Sequence, residues 1–95
     1  MNNKALTALG FAQRAGKCVS GETGCDAEFK ARRALLIVVD ALASENTKSR
    51  WQHRCENAGV AFVVLEGAGE AVGKPGKMVL AISDPGFAQM ISKAL

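Results

Sequence analysis

The stretch LLIVV, residues 35–39, carries five consecutive apolar side chains and no polar one. A strand with one face in water alternates apolar and polar residues, so an unbroken run predicts a strand covered on both faces. Helices on either side of a sheet are the usual cover for such a strand. The stretch therefore predicts a layered α/β fold with this strand at its centre. We expect an Ile37→Asp variant not to fold, because it would bury an unpaired charge.

The segments around this strand alternate between helix and strand patterns. The apolar runs VAFVVL (60–65) and MVLAI (78–82) predict two further buried strands. Local caps and apolar spacing predict helices over about 3–15, 22–32 and 45–58, and a last helix that begins after Asp84. A short helical turn is predicted at 70–72, followed by a loop over 73–77. We therefore predict one domain, residues 1–95, folded as a three-layer α/β/α sandwich around a small mixed sheet.

The composition excludes several classes of protein. With 95 residues, of which 48% are hydrophobic and 22% charged, the chain can build one core and does not have a disordered composition. Its longest apolar run, residues 34–39, is far shorter than a membrane span. The first residues, MNNK, are not followed by an apolar stretch of signal-peptide length. We expect a cytoplasmic protein with no membrane association.

The cysteines point to structural thiols. Cys18, Cys25 and Cys55 are an odd number without a CxxC pair, which is typical of reduced, buried cysteines in the cytosol. A zinc site made from these three residues and His53 would match none of the usual ligand spacings. The sequence therefore predicts no metal and no cofactor.

Patterns of catalytic residues are nearly absent. The glycine-rich segment GAGEAVGK, residues 67–74, matches neither GxGxxG nor GxxxxGK[ST]. His53 and Cys55 are two apart on a predicted helix, where side chains do not face each other. We predict that the chain is not an enzyme. One catalytic alternative stays open, a nucleophilic Cys18 or Cys25 near the start of the second helix, where a thiol pKa can fall.

Positive charge is concentrated in the first half of the chain. Residues 1–54 carry nine Lys or Arg and five Asp or Glu, whereas residues 55–95 carry three and four. Within that half, Ser20 is predicted to be the N-cap of the second helix, with Arg14 and Lys17 nearby. A helix N-terminus beside cations is a ready site for phosphate, so the pattern indicates a polyanionic partner.

Three segments together carry a family resemblance. The string from Leu9 to Gly21, the segment ASENTK at 43–48 and the segment AISDPGF at 81–87 resemble bacterial YlxQ-type proteins. These are relatives of the archaeal ribosomal protein L-seven-Ae and the eukaryotic ribosomal protein L-thirty-e, which bind kink-turn RNA. The resemblance covers essentially the whole chain. It implies an α/β/α sandwich, no catalysis and binding to structured RNA, with ribosomal RNA as one candidate.

The resemblance also implies a binding surface. In the family, the turn before the second helix enters the major groove at sheared G·A pairs, and a loop before the last strand covers a flipped-out nucleotide. Those regions correspond here to residues 21–27 and 73–78. The chain departs from the family pattern at Gly24, Ala27 and Leu42, where polar, lysine and acidic residues are usual. The predicted RNA-binding residues are Arg14, Lys17, Ser20, Gly21, Glu22, Thr23, Lys48, Lys74, Lys77 and Met78.

These departures leave an alternative open. Each lost base-edge hydrogen bond removes about 1–3 kcal/mol of discrimination, so kink-turn specificity could be lost while the fold is kept. The alternative function is a ribosome-associated protein-interaction module, or a homodimer, on the same scaffold. The sequence does not identify the RNA or the oligomeric state.

Overall fold

The computed structural model describes residues 3–95, with side chains from Lys4 onward. No helix in this part of the chain is long and apolar enough to cross a membrane. Helices and strands alternate in the order α1 (Asn3–Arg14), β1 (Cys18–Ser20), α2 (Glu22–Lys30), β2 (Leu36–Asp40), α3 (Glu45–Ala58), β3 (Ala61–Leu65), α4 (Ala68–Ala71), β4 (Val79–Ile82) and α5 (Pro85–Lys93).

The four strands form one mixed sheet in the order β1-β4-β2-β3. Strand β4 is antiparallel to both β1 and β2, and β2 is parallel to β3. Ile37 of β2 lies opposite Ala81 on one side and Phe62 on the other. All five residues of β2 are buried, which confirms the central strand, but it begins at Leu36, and Leu35, predicted to be covered, is 41% exposed.

Alternate residues of β2 point into two separate cores, one on each face of the sheet. Leu36 and Val38 pack with α1, α4 and α5, where Leu9 and Ile91 are also buried. Ile37 and Val39 pack with α2 and α3. Each fully buried side chain of this size contributes about 1.5–3 kcal/mol relative to exposure. The layers confirm the α/β/α sandwich.

The residues at the start of α2 differ from the prediction. Ser20 is the last residue of β1, and the N-cap is Gly21, which has φ 93° and ψ 151° and no side-chain cap hydrogen bond. The prediction of Ser20 as the cap was wrong because Ser20 takes part in the sheet, where it lies opposite Leu80. The other end of α2 also differs, since the helix ends at Lys30 and Arg32 has a left-handed φ of 61°.

Strand β3 is less buried than its apolar sequence predicts. Within the described sheet it pairs with β2 alone, so it lies at an edge. Ala61 is exposed and Val64 is 41% exposed, whereas Leu65 is buried. A short apolar run does not reveal whether its strand is central or at an edge, because that depends on the pairing order of the whole sheet.

Candidate nucleic-acid interface

The directions of the strands bring several loops to one end of the sheet. Strands β1, β2 and β3 run the same way, and β4 runs against them. The end where β1, β2 and β3 finish and β4 begins is called the α2 end below, because α2 starts there directly after β1. Helices α3 and α4 also follow strands that finish at this end. Ligands of open α/β sheets commonly bind beyond the carboxyl ends of strands.

Gly21 forms the turn between β1 and α2. Its N–H donates to Val79 O at 2.9 Å, and its positive φ redirects the chain into the helix. Helices α3 and α5, in contrast, are capped by the side chains of Ser44 and Asp84, which accept from backbone N–H groups at 3.1 and 3.0 Å. Among the residues that the structure describes, no side chain caps α2. Its first N–H groups, with the positive end of the helix dipole, are therefore available to an anion.

Lys77 lies over this turn. Its Nζ is 3.6 Å from the position that a Cβ on Gly21 would occupy. Among the described residues, neither Lys77 nor Lys74 has an acidic partner within 4.0 Å, whereas five other cations are paired in this way. The α2 end therefore combines unpaired ammonium groups with an uncapped helix N-terminus, and both favour a phosphate.

A buried carboxylate is linked by hydrogen bonds to the loop that carries these lysines. Asp40, 3% exposed, accepts hydrogen bonds from Leu42 N at 2.9 Å and from Gly69 N at 3.0 Å. Gly69 O in turn accepts from Lys74 N at 2.9 Å. A Cβ on Gly69 would lie 2.7 Å from Lys77 O, so only glycine permits this close approach. The sequence reasoning missed Asp40, although an acid that ends an unbroken apolar run was a signal.

Glu22 fixes the first turn of α2 against α3. Its Oε1 accepts a hydrogen bond from Trp51 Nε1 at 3.1 Å and forms an ion pair with Arg50. Trp51 is buried in the core between α2, α3 and the sheet. The structure therefore gives this carboxylate a role in positioning α2.

Arg54 forms a second brace between the same helices. It bonds Asp26 Oδ1 at 2.8 Å, and its guanidinium lies 4.6 Å from the ring centre of Phe29 and 4.3 Å from that of Trp51. Hydrogen bonds from Lys30 and from Arg54 lower the pKa of the Asp26 carboxyl. Arg54 is thus held within the α2/α3 layer, where it shares the Asp26 carboxylate with Lys30.

Gly24 is explained by packing. A Cβ at this position would lie 2.6 Å from Val19 Cγ1, so α2 packs on β1 more closely than any other residue would allow. The side chains of Thr23 and Ala27 are exposed. Of the family positions that depart from the pattern in this helix, Ala27 has room for a longer side chain and Gly24 does not.

The structure places Lys17 away from the α2 end, and it places Arg14 at the end of α1. Lys17 precedes β1, and its carbonyl accepts from Ser83 N at 3.1 Å at the opposite end of the sheet. The three residues of β1 separate Lys17 from Gly21, so the two Cα atoms are about 13 Å apart along the extended chain. The Arg14 guanidinium lies 5.2 Å from the ring centre of Phe11 on α1. The predicted grouping of Arg14 and Lys17 around Ser20 and Gly21 therefore does not hold for Lys17.

Most of the other predicted residues do meet. Lys48 lies in the first turn of α3, where its Nζ is 3.1 Å from Glu45. Met78 is half-buried against the α2/α3 core, and its carbonyl accepts from Asp40 N at 2.7 Å. The predicted residues found at the α2 end are Ser20, Gly21, Glu22, Thr23, Lys48, Lys74, Lys77 and Met78.

The cysteines are buried and free, as predicted. Burial raises the pKa of Cys18 and of Cys55 to about 11, and that of Cys25 to about 12. The Cys25 thiol donates to Val19 O at 3.4 Å and to Val79 O at 3.3 Å. All three thiols are protonated at neutral pH, which is the opposite of what a nucleophilic cysteine needs.

The four residues weighed as zinc ligands are not gathered together. Cys18 packs in the core under α1 and α5, whereas Cys25 and Cys55 lie in the core on the other face of the sheet. His53 is exposed on α3. Within the part of the chain that the structure describes, no three His, Cys, Asp or Glu residues form a group that could hold a metal.

Comparison with known proteins identifies the family. No family model matches the chain. It is 34% identical over 90 residues to the RNA-binding protein YlxQ of Bacillus subtilis (strain 168), covering 92% of this chain and 90% of that protein. It is 36% identical over 89 residues to the RNA-binding protein YlxQ of Enterococcus faecium, covering 90% and 85%. The chain belongs to the YlxQ family.

Solved structures share the fold of this YlxQ-family chain. A Bacillus halodurans C protein of unknown function superposes with a TM-score of 0.89 at 24% identity, covering 96% of this chain and 95% of the other. A 15.5 kD RNA-binding protein of Giardia lamblia superposes with a TM-score of 0.75 at 16% identity, covering 96% and 81%. At these identities the likeness establishes the fold alone.

Proposed function

We propose that this chain binds structured RNA of the kink-turn type through the α2 end. The observation that carries the proposal is the uncapped N-terminus of α2 under Lys77, with Lys74 on the same loop. Backbone N–H groups and lysines are the usual partners of nucleic-acid phosphates. Gly21 adds close access, since it has no side chain to keep a phosphate away from the helix terminus. The YlxQ relatives are named RNA-binding proteins, which supports the same choice of partner.

The shape of the site favours folded RNA over duplex DNA. The contacting groups are one turn, one loop and the first turns of helices that start at the sheet end. A reader of the DNA major groove presents a helix along its length, whereas α2 and α3 pack side by side against the sheet. A compact set of helix termini and loops suits a local distortion of an RNA backbone better.

The composition of the site predicts that phosphate contacts dominate its affinity. Ala27 and Gly24 offer no hydrogen bond to a base edge, and the Glu22 carboxylate is held by Trp51 and Arg50. We expect Lys74 and Lys77 to contact mainly the phosphates of the RNA backbone, so binding should weaken steeply as the salt concentration rises. Sequence discrimination should be modest until a base-reading side chain is restored.

The test is a fluorescence titration against a kink-turn RNA and the same RNA with its G·A pairs disrupted. We expect Lys77→Ala to weaken binding and to reduce the salt slope by about 1. Ala27→Lys should tighten binding to the intact kink-turn by about tenfold, or about 1.4 kcal/mol, and leave the disrupted RNA unchanged. Lys30→Ala, on the far turn of α2, is the matched control and should change neither.

Two outcomes would contradict the proposal. Equal affinity for the kink-turn and for duplex DNA at physiological salt would reduce binding to non-specific electrostatics. A loss in Lys30→Ala as large as that in Lys77→Ala would remove the α2 end as the site. In either case the protein-interaction function becomes the better account, and the exposed Leu42 (79%), which follows β2 at the same end, favours it.

A further inference from the structure

A shallow apolar groove lies between α1 and α5. Its volume is about 510 Å³, and it is lined chiefly by Ala8, Phe11, Met90 and Ala94, with Lys4 and Lys93 also lining it. Phe11 is 46% exposed and Met90 is 48% exposed. Large apolar side chains that remain half-exposed on two adjoining helices are typical of an interaction surface.

The charged residues of the two helices that form the groove are all of one sign. Within the described residues, α1 carries Lys4 and Arg14, α5 carries Lys93, and neither helix contains Asp or Glu. None of these three cations has an acidic partner within 4.0 Å, whereas every ion pair in the described residues involves α2 or α3. The groove is therefore an apolar surface beside cations that form no ion pair among the described residues.

We propose that this groove docks an acidic amphipathic helix of a partner protein. A helix lays apolar side chains at i and i+4 into such a groove, and here they would pack between Phe11 and Met90. Carboxylates flanking that apolar face would meet Lys4, Lys93 and Arg14, so the charges of the two surfaces are complementary.

Other occupants fit the groove less well. A second copy of the chain related by a two-fold axis would bring the same cations against one another. Single-stranded nucleic acid needs an open aromatic face for stacking, but the Arg14 guanidinium already lies over the Phe11 ring. Thr7 supplies the one hydroxyl among the lining residues, too little to hydrogen-bond base edges.

The groove is separate from the α2 end. Helices α1 and α5 cover one face of the sheet, and α2 and α3 cover the other. Residues Phe11 and Met90 are not among those assigned to RNA. The docking surface therefore goes beyond the proposed function, and each can fail without the other.

The probe is a synthetic helical peptide with leucines at i, i+4 and i+7 and glutamates around them. A length of about 16 residues, with both ends blocked, suffices for a helix to form on the surface. We expect saturable binding by fluorescence anisotropy, and about tenfold weaker binding of the same peptide with lysine in place of glutamate. The double variant Phe11→Ala/Met90→Ala should lose about tenfold in affinity for the glutamate peptide.

Matched variants make the test specific. Gln89→Ala changes an exposed residue of α5 that does not line the groove, and it should leave binding unchanged. Lys4→Glu/Lys93→Glu should reverse the preference, so that the lysine peptide binds more tightly than the glutamate peptide. Thermal unfolding of each variant establishes that it is folded before it is titrated.

Several results would overturn the docking proposal. The first is the absence of saturable binding, or equal affinity for the glutamate and lysine peptides. The second is a Phe11→Ala/Met90→Ala variant that binds the glutamate peptide as the unaltered protein does. If that variant instead loses affinity for the kink-turn RNA, the groove belongs to an RNA surface. If light scattering shows that it dissociates a dimer, the groove is a contact between copies of this chain.

Discussion

Helices α2 and α3 begin at the same end of the sheet but have different N-caps. At α3, the Ser44 hydroxyl accepts from Thr47 N, so a donor of the first turn is satisfied within the protein. At α2, the cap is Gly21, which offers no side chain and donates its own N–H to Val79 O. A capping serine stabilises a helix by about 1 kcal/mol relative to alanine and by a few tenths relative to glycine. The N-terminus of α3 is therefore capped by a side chain, whereas the N-terminus of α2 has no side-chain cap among the described residues.

Among variants of the two helices, we expect the largest changes in stability and RNA affinity at the glycine that begins α2. Gly21 has φ 93° and ψ 151°, a conformation that essentially only glycine adopts, and Lys77 lies over it. We expect Gly21→Ala to cost about 2 kcal/mol in the free energy of unfolding and more than about tenfold in RNA affinity, because the added methyl group strains the turn.

Gly59 is the matched control for that change. It ends α3 in a left-handed conformation, with φ 70°, and nothing lies within 4 Å of an added Cβ. Gly59→Ala should cost about 1 kcal/mol in stability and leave RNA binding unchanged. Denaturant unfolding and RNA titration of both variants check this. Equal losses of RNA affinity at the two glycines would contradict a special role for the α2 terminus.

The next largest effect concerns Gly24→Ala, for which helix propensity and packing predict opposite changes in the free energy of unfolding. Replacing a helical glycine by alanine normally stabilises by about 1 kcal/mol. Here the new Cβ would lie 2.6 Å from Val19 Cγ1, and overpacking of this kind costs about 1–3 kcal/mol. We expect Gly24→Ala to lower the free energy of unfolding in a urea titration. A rise would show that α2 can shift away from β1 without loss.

A smaller effect is expected at the α3 cap. Ser44→Ala removes the acceptor for Thr47 N and should cost about 1 kcal/mol, or roughly 4–8 °C in Tm for a domain of this size. RNA affinity at a temperature where the variant is folded should not change. If calorimetry shows the expected loss and RNA affinity also falls, the two helix termini do not divide stability and binding between them.

The smallest effect at neutral pH concerns the cysteine that each helix buries. Burial raises the pKa of Cys25 to about 12 and that of Cys55 to about 11, from an ordinary value of 9.0. Protonated thiols are therefore favoured in the folded state. Their contribution to stability is complete below pH 9 and disappears as the pH rises through the folded values. Unfolding free energy measured from pH 7 to 11 should be flat at first and then fall.

Thiol labelling gives an independent check. At neutral pH we expect Cys25 and Cys55 to react with a thiol reagent only as fast as the chain unfolds. Fast labelling of Cys25 in the folded protein would mean that the positive end of α2 acts on this thiol, which would contradict its raised pKa.

Local signals were sufficient wherever a structural element depends on its own neighbours in sequence. The prediction of a helix over about 45–58 is confirmed, because its caps, Ser44 and Gly59, act on residues only a few positions away. The loop at 73–77 and the Asp84 cap of α5 were also predictable from local residues. The central position of β2 followed from its lack of any polar face.

Local sequence patterns could not distinguish Ser20 from Gly21 as the N-cap of α2. Both residues are common N-caps, and the choice depends on where β1 stops pairing with β4. They also could not show that α2 packs closely on Val19 at Gly24, since a packing distance between two elements is not encoded in helix propensity.

By itself, the sequence determined the layered fold, the family and a turn at residues 20–21 before α2. Only the tertiary structure decided which cations accompany that turn. The sheet order inserts β4 between β1 and β2, so Lys77, distant in the chain, lies over Gly21, while Lys17, close in the chain, lies at the far end of β1. Local patterns depend on backbone geometry over a few residues, whereas strand order depends on how the whole chain buries its apolar faces.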